Sequence, residues 1–118
     1  MDMIIFSKNR AFQLYTALET INKYVSGVDN IYVQFNYSEQ KYLDGYIKLN
    51  NLFQNIVFID ETTHGFKTTL LALIGEIKSD NIAFDVDDVI YYNKVDLKHF
   101  SNIFSNTPNV SEFQYSFD

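Results

Sequence analysis

The sequence predicts an α/β fold, a mainly parallel sheet with alternating helices, on three observations. Four short apolar runs, residues 3–6, 31–35, 56–59 and 82–84, are rich in Ile, Val, Phe and Tyr and largely unbroken, the pattern of strands buried on both faces. The segments between them carry apolar residues three and four apart, as amphipathic helices do. No internal repeat, low-complexity tract or Gly/Pro/Ser-rich linker interrupts this alternation, so residues 1–118 read as a single domain. Strands and helices of these lengths connect by right-handed crossovers onto one sheet.

The first strand leads through Ser7, Lys8, Asn9 and Arg10 into a helix with Leu14, Leu18, Ile21 and Val25 on one face. The second strand ends at Asn36 and Tyr37. Ser38, followed by Glu39 and Gln40, is expected to cap a second helix with the stripe Tyr42, Tyr46, Leu49 and Phe53. The third strand ends at Asp60, and Gly65 permits the turn into a third helix with Phe66, Leu70, Leu73 and Ile77 facing inward. After the fourth strand a further helix is expected from Asn93, with Asp96 in its first turn, Leu97, Phe100 and Phe104 inward, and a stop before Pro108. Residues 113–117 alternate aromatic and polar side chains and read as a fifth strand covered on one face.

Hydrophobic residues make up 47% of the sequence and aromatic residues 17%, too much apolar surface for a disordered segment. The formal charge is −6 and the single arginine is Arg10, so clustered cations for a nucleic-acid backbone are absent and nucleic acid is excluded as a partner. An acidic protein that handles phosphates usually needs a metal to bridge the two. Without cysteine there are no disulfides, no thiolate-ligated zinc and no thiol catalysis. The opening MDMIIFSKNR places an acid before only four apolar residues, which matches neither a signal peptide nor a membrane span, and a cytoplasmic location is the expectation.

Ligands of open α/β sheets bind beyond the carboxyl ends of the strands, here residues 7–10, 36–38, 60–64 and 85–88. The strongest local signal among them is FDVDDVIYY, in which Asp85, Asp87 and Asp88 follow a buried apolar strand. Like charges so close together raise one another's pKa unless a cation or strong donors offset them. A hard divalent ion, Mg²⁺ or Mn²⁺, is the natural partner, because it takes oxygen ligands and keeps positions for water and substrate phosphates. The bland alternative is a solvated acidic turn at a helix start.

The stretch IAFDVDDVIYYNKVDL resembles the region around the DxD motif of GT-A type glycosyltransferases, where an apolar strand delivers acids that hold a metal and a sugar nucleotide. IIFSKNRAFQLYTALETI is similar to the first strand and helix of the family-2-like members, and HGFKTTLLALIGEIKSDNIAF to the helix before the acidic strand. The resemblance implies a Rossmann-like GT-A (nucleotide-diphospho-sugar transferase) fold and its nucleotide-sugar-binding N-terminal half, truncated before the acceptor-binding half. It further implies a metal-bound UDP- or GDP-sugar donor, with Mn²⁺ or Mg²⁺ as cofactor and an unknown acceptor. By position, Asp88 matches the metal ligand and Asp87 the ligand of ribose or metal, while Asp85 is the alternative first acid of the pair. Ser7 and Arg10 match the loop that touches base or phosphates, and Lys67 a basic residue directed at the nucleotide. Asn36 stands where the family often has an acid that reads the base.

Two rivals remain on the sequence alone. The acidic string also fits the hhhDxDxx motif of haloacid-dehalogenase-like phosphatases, with Asp85 as nucleophile and Asp87 as acid/base, but few residues follow Asp88 to supply the remaining phosphate and metal ligands. The other is a non-catalytic nucleotide- or protein-binding module, in which an exposed edge at residues 113–117 would pair copies of the chain into a homo-oligomer. His64 and His99 are not spaced as a ligand pair and read as surface or helix-side histidines.

Overall fold

Met3, Ile4 and Ile5 are consecutive and each no more than 1% exposed, which requires cover on both faces of their strand. The computed structural model, which describes residues 1–97, meets that requirement by placing this strand inside a parallel sheet. β1 (Asp2–Lys8) lies between β3 (Asn30–Asn36) and β5 (Ile82–Val86), and β4 (Ile56–Asp60) borders β3, in the order β4-β3-β1-β5. All three pairings are parallel, with Ile5 opposite Val33 on one side and Asp85 on the other. Taken in chain order the four strands lie third, second, first, fourth, the Rossmann-like arrangement, and the order reverses between β1 and β5.

α1 (Ala11–Tyr24) and α2 (Gln40–Leu52) share one face of the sheet. Leu14, Leu18 and Ile21 of α1 and Tyr46 and Leu49 of α2 pack with Met3, Ile5, Val33, Phe35 and Ile56 into the main core. The two helices approach closely at Gly45, where an added Cβ would stand 2.8 Å from that of Ala11. α3 (Phe66–Glu76) crosses the opposite face, where Phe66 meets the Phe6 ring at 5.1 Å. This face is thinly covered by the described residues: Val57 is 49% exposed, Phe84 48% and Phe66 49%. The strands expected to be buried on both faces therefore divide, β1 fully enclosed and β4 and β5 lying at the sheet borders.

Several boundaries differ from expectation, and Phe53 and Ile77 lie just past the ends of α2 and α3 rather than within their helices. Val25 has left the first helix: its backbone is extended, and with Ser26 it forms β2 (Val25–Ser26). β2 pairs in parallel with β6 (Val95–Asp96), so the segment expected to be helical from Asn93 is extended through Asp96 and helical only from Leu97. Here a backbone pairing with a partner 70 positions away in register (Val25 with Val95) overrides local propensity. Ser38 does not cap α2; Glu39 occupies the cap position without a side-chain bond, and the Ser38 hydroxyl accepts from Asn9 instead. The continuation of the fourth helix through Phe100 and Phe104 and the strand at residues 113–117 lie outside the described residues. No helix among the described residues is long and apolar enough to cross a membrane.

Replacing a mid-helix glycine usually stabilises by up to about 1 kcal/mol. Gly45→Val should do the opposite, losing about 1–3 kcal/mol in urea unfolding because the branched side chain must displace Ala11. Gly75→Ala, with nothing within 4 Å of the new methyl, should be neutral or stabilising in the same assay.

Candidate functional site

The loops that follow the strands form a cleft of about 540 Å³ across the carboxyl edge of the sheet, within the range of small-molecule sites. Phe6, Ser7, Lys8 and Arg10 line it from β1 and its loop, Asn36 from β3, Glu61 from the turn after β4, Phe66 from the first turn of α3, Val86 from β5, and Asp87 and Asp88 from the turn that follows it. It includes the reversal point between β1 and β5, where doubly wound sheets leave a crevice.

One hydrogen-bonded relay organises its floor. The Ser7 hydroxyl donates to Asp87 Oδ2 at 2.8 Å and so accepts from the Tyr46 hydroxyl at 2.6 Å, while the backbone N–H of Arg10 donates to that same tyrosine oxygen at 3.1 Å. Three elements are joined by it: the β1–α1 loop, α2 and the β5 turn. Burial pushes the Tyr46 phenol up. Burial also raises the Asp87 carboxyl above the usual carboxylate range, while the Ser7 hydroxyl and the Arg10 guanidinium pull it part of the way back. Arg10 Nη1 stands 3.8 Å from Asp87 Oδ1 with its side chain about half exposed, so the pair is weak and the guanidinium remains open to an anion.

The β1–α1 loop is also tied to the β3–α2 loop. Asn9 adopts φ 56°, a left-handed conformation that asparagine tolerates better than most residues. Its Oδ1 accepts from the Ser38 N–H and its Nδ2 donates to the Ser38 hydroxyl, both at 3.0 Å. Farther along the edge, Asp60 Oδ1 accepts from the Thr62 N–H at 2.8 Å, and the Thr62 hydroxyl donates to Asn36 Oδ1 at 3.3 Å. A hydrogen bond to Asp60 holds the Tyr37 phenol up.

The expected acids separate by environment. Asp87 is buried and Asp88 exposed, and both line the cleft. Asp85 is not in the lining: its Oδ2 accepts from the Tyr91 hydroxyl at 2.7 Å and its Oδ1 from the Val86 N–H. Burial raises its pKa, opposed chiefly by the Tyr91 hydroxyl. Tyr91 in turn donates its N–H to Thr20 of α1 at 3.1 Å, which fastens the segment after β5 to the helix layer. No three of the described His, Asp and Glu side chains converge as a metal-binding group.

Ser7, Arg10 and Asn36 are brought together in the cleft, whereas Lys67 is exposed on the first turn of α3 and lies outside its lining. His64 is exposed and also outside the lining, and His99 falls beyond the described residues. Two site residues were not legible beforehand. Tyr46 sits on a regular helical stripe and reads as core, with nothing to reveal that its hydroxyl reaches Ser7. Glu61, only 6% exposed, immediately follows the third strand, and that position was its one available signal.

Asp85 supplies a pH test. A carboxylate whose folded pKa is raised weakens the fold once ionised, and the stability it withholds at neutral pH returns as pH falls through the folded value toward the ordinary one. Tyr91→Phe removes the donor that supports the ionised form. It should therefore lose about 1–3 kcal/mol at pH 7. The deficit against the parent chain should narrow as pH falls toward the ordinary carboxylate range, because burial makes Asp85 take up its proton before an ordinary carboxylate does, read by thermal melts as pH is lowered.

Comparison with known proteins finds similarity to the bifunctional glycosyltransferase pgtA of Dictyostelium discoideum, 34% identical over 115 residues. The alignment covers 90% of this chain and 15% of that protein, so the chain spans about one seventh of its relative's length. No family model matches the chain, and no solved structure gives a significant match.

Proposed function

We propose that this chain is the donor-binding part of a glycosyltransferase of GT-A type, holding a nucleoside-diphosphate sugar with a divalent metal across the carboxyl edge of its sheet. The observation that carries the proposal is the cleft itself. At the strand-order reversal it joins two cations, Lys8 and Arg10, with two carboxylates, Asp87 and Asp88, in a chain related over most of its length to part of a named glycosyltransferase. A diphosphate needs positive charge, and two lone carboxylates in the same cleft would repel it. Carboxylate oxygens beside a phosphate are compatible when a hard cation lies between them.

The donor set suits Mg²⁺ or Mn²⁺. Asp88 is free to turn toward an ion, and Asp87 is steadied by Ser7, with the remaining positions left to water and phosphate oxygens. Bound there, the metal would act as a Lewis acid toward the departing diphosphate. Arg10 would add a second positive charge on the same oxygens, from a loop already fixed by Tyr46 and Asn9. Ser7 keeps Asp87 oriented, and Tyr46 keeps Ser7 oriented, so the relay preorganises the acid before the donor arrives. Asp85 takes a supporting part, bracing the turn that carries Asp87 and Asp88 through Tyr91. That engagement also disfavours the phosphatase alternative, since a nucleophilic Asp85 would have to face the substrate.

Titration calorimetry with UDP and GDP, with Mn²⁺ and then with chelator, tests the proposal. Metal-dependent binding should occur and should fall at least about tenfold in Asp88→Asn, the loss of one charged ligand interaction worth roughly 1.4 kcal/mol or more. A folded chain that binds neither nucleotide, or binds them equally well with chelator, would sink it.

A further inference from the structure

Both aspartates of the cleft sit in the middle of one tight turn. Asp87 and Asp88 are the central residues of the four-residue turn from Val86 to Val89, closed by the Val89 N–H donating to the Val86 carbonyl at 3.3 Å. Before the turn, β5 is fixed by its pairing with β1. After it, residues 89–96 run as a strap along α1: the helix starts from the carboxyl edge of the sheet, and the strap leaves the same edge and ends beside β2, which follows that helix. The strap alternates, with Val89 and Tyr91 buried in the core they share with α1 and Ile90 and Tyr92 exposed. Its far end is held by the pairing of Val95 with Val25. Nearer the turn, the Tyr91 N–H donates to Thr20 Oγ1 at 3.1 Å, and the Thr20 hydroxyl donates to the Ala17 carbonyl at 2.8 Å. With its proton committed to Ala17, this oxygen faces the strap as an acceptor.

Ser7 steadies the Asp87 side chain, but Asp88 is exposed, so the backbone of the turn decides where its carboxylate stands. A turn fixed at one end only would sample several arrangements. A metal that needs one of them would bind with an affinity reduced by the fraction of molecules that present it. Tyr91 is fastened twice, by its phenol to Asp85 and by its N–H to Thr20. The first bond stays within the segment, because Asp85 precedes the turn by one residue. The second ties the segment to a different layer of the fold. We propose that Thr20, which lies on α1 and outside the cleft lining, is a positioning residue of the donor site: by accepting from Tyr91 it holds the strap against the helix and thereby presents Asp88 to the metal.

The inference rests on the donor-site proposal, and the test tells their failures apart. Dissociation constants for UDP and GDP, each with Mn²⁺, would be measured on the parent chain, Thr20→Val, Thr20→Ser and Thr16→Val, at a temperature where thermal melts show every variant folded. Valine keeps the shape of threonine without its hydroxyl, and serine keeps the hydroxyl. Thr16 lies on the same helix and bonds the Phe12 carbonyl of that helix. Thr20→Val should weaken metal-dependent binding about threefold to tenfold, the value of one hydrogen bond, while Thr20→Ser stays within about twofold of the parent chain and Thr16→Val matches it. Unchanged affinity in Thr20→Val, whatever its melting temperature, would reduce Thr20 to a structural role and leave the donor site standing. A loss in Thr20→Ser or Thr16→Val as large as that in Thr20→Val would also overturn the assignment, since the bond to Tyr91 would not be its cause. Should Thr20→Val fail to fold, hydrogen exchange on the parent chain decides. Coupling is reciprocal, so saturation with nucleotide and Mn²⁺ should slow the Tyr91 amide at least about threefold more than the Ile77 amide at the end of α3. Equal slowing of the two would overturn the proposal. A folded parent chain that binds neither nucleotide would remove the donor-site proposal and this one with it.

Discussion

The structure depends on the enclosure of β1. This strand is hydrogen-bonded along both sides and covered on both faces, so its backbone polar groups are satisfied by β3 and β5 while Met3, Ile4 and Ile5 leave water completely. The consequences extend outward. The strands on both flanks pair with it in parallel, and right-handed returns in this strand order put the first two helices on one face and the third on the other. The strand order reverses beside β1, and this leaves a crevice at its carboxyl end.

Polar chemistry begins where that enclosure ends. Ser7 is the last buried residue of β1, and its hydroxyl cannot be left unpaired at 6% exposure without penalty. It finds Tyr46 on one side and Asp87 on the other, so a requirement of burial becomes a means of orienting a carboxylate. The same economy holds at Asp85, where Tyr91 satisfies a buried acid and also anchors the segment after β5 to α1 through Thr20. A carboxylate steadied in this way has little freedom to lose when a ligand binds, which is the physical content of preorganisation.

The charges along the edge come from separate elements. Lys8, Arg10, Asp87 and Asp88 come from β1, β5 and the loops after them, and Glu61 comes from the turn after β4, where Gln34 of β3 holds its carboxylate. A cleft lined by both cations and carboxylates can meet a ligand that carries anionic groups together with hydrogen-bond donors. Nucleotides carry both, and the relationship to a bifunctional glycosyltransferase is consistent with it.

The alternation of apolar runs and helical stripes in the sequence was enough to determine the α/β class, the four main strands, the three helices and the edge of the sheet on which Ser7, Arg10, Asn36, Asp87 and Asp88 would meet. These features are local: side-chain periodicity reports burial within a few residues, and parallel topology assigns the carboxyl ends to one side. Pairing across the fold is not local. Only the tertiary structure decided that Val25 would pair with Val95 and that Tyr46 would pass its hydroxyl through the core to Ser7. Nor does the spacing FDVDD say which acid stays in the cleft. On a strand, Asp85 and Asp87 share a face, and only the arrival of Tyr91 beside one and Ser7 beside the other makes the first a brace and the second part of the site. Glu61 likewise acquired its place from Gln34, a neighbour 27 residues away in sequence, because a hydrogen bond forms wherever the chain brings donor and acceptor together, whatever the distance along it.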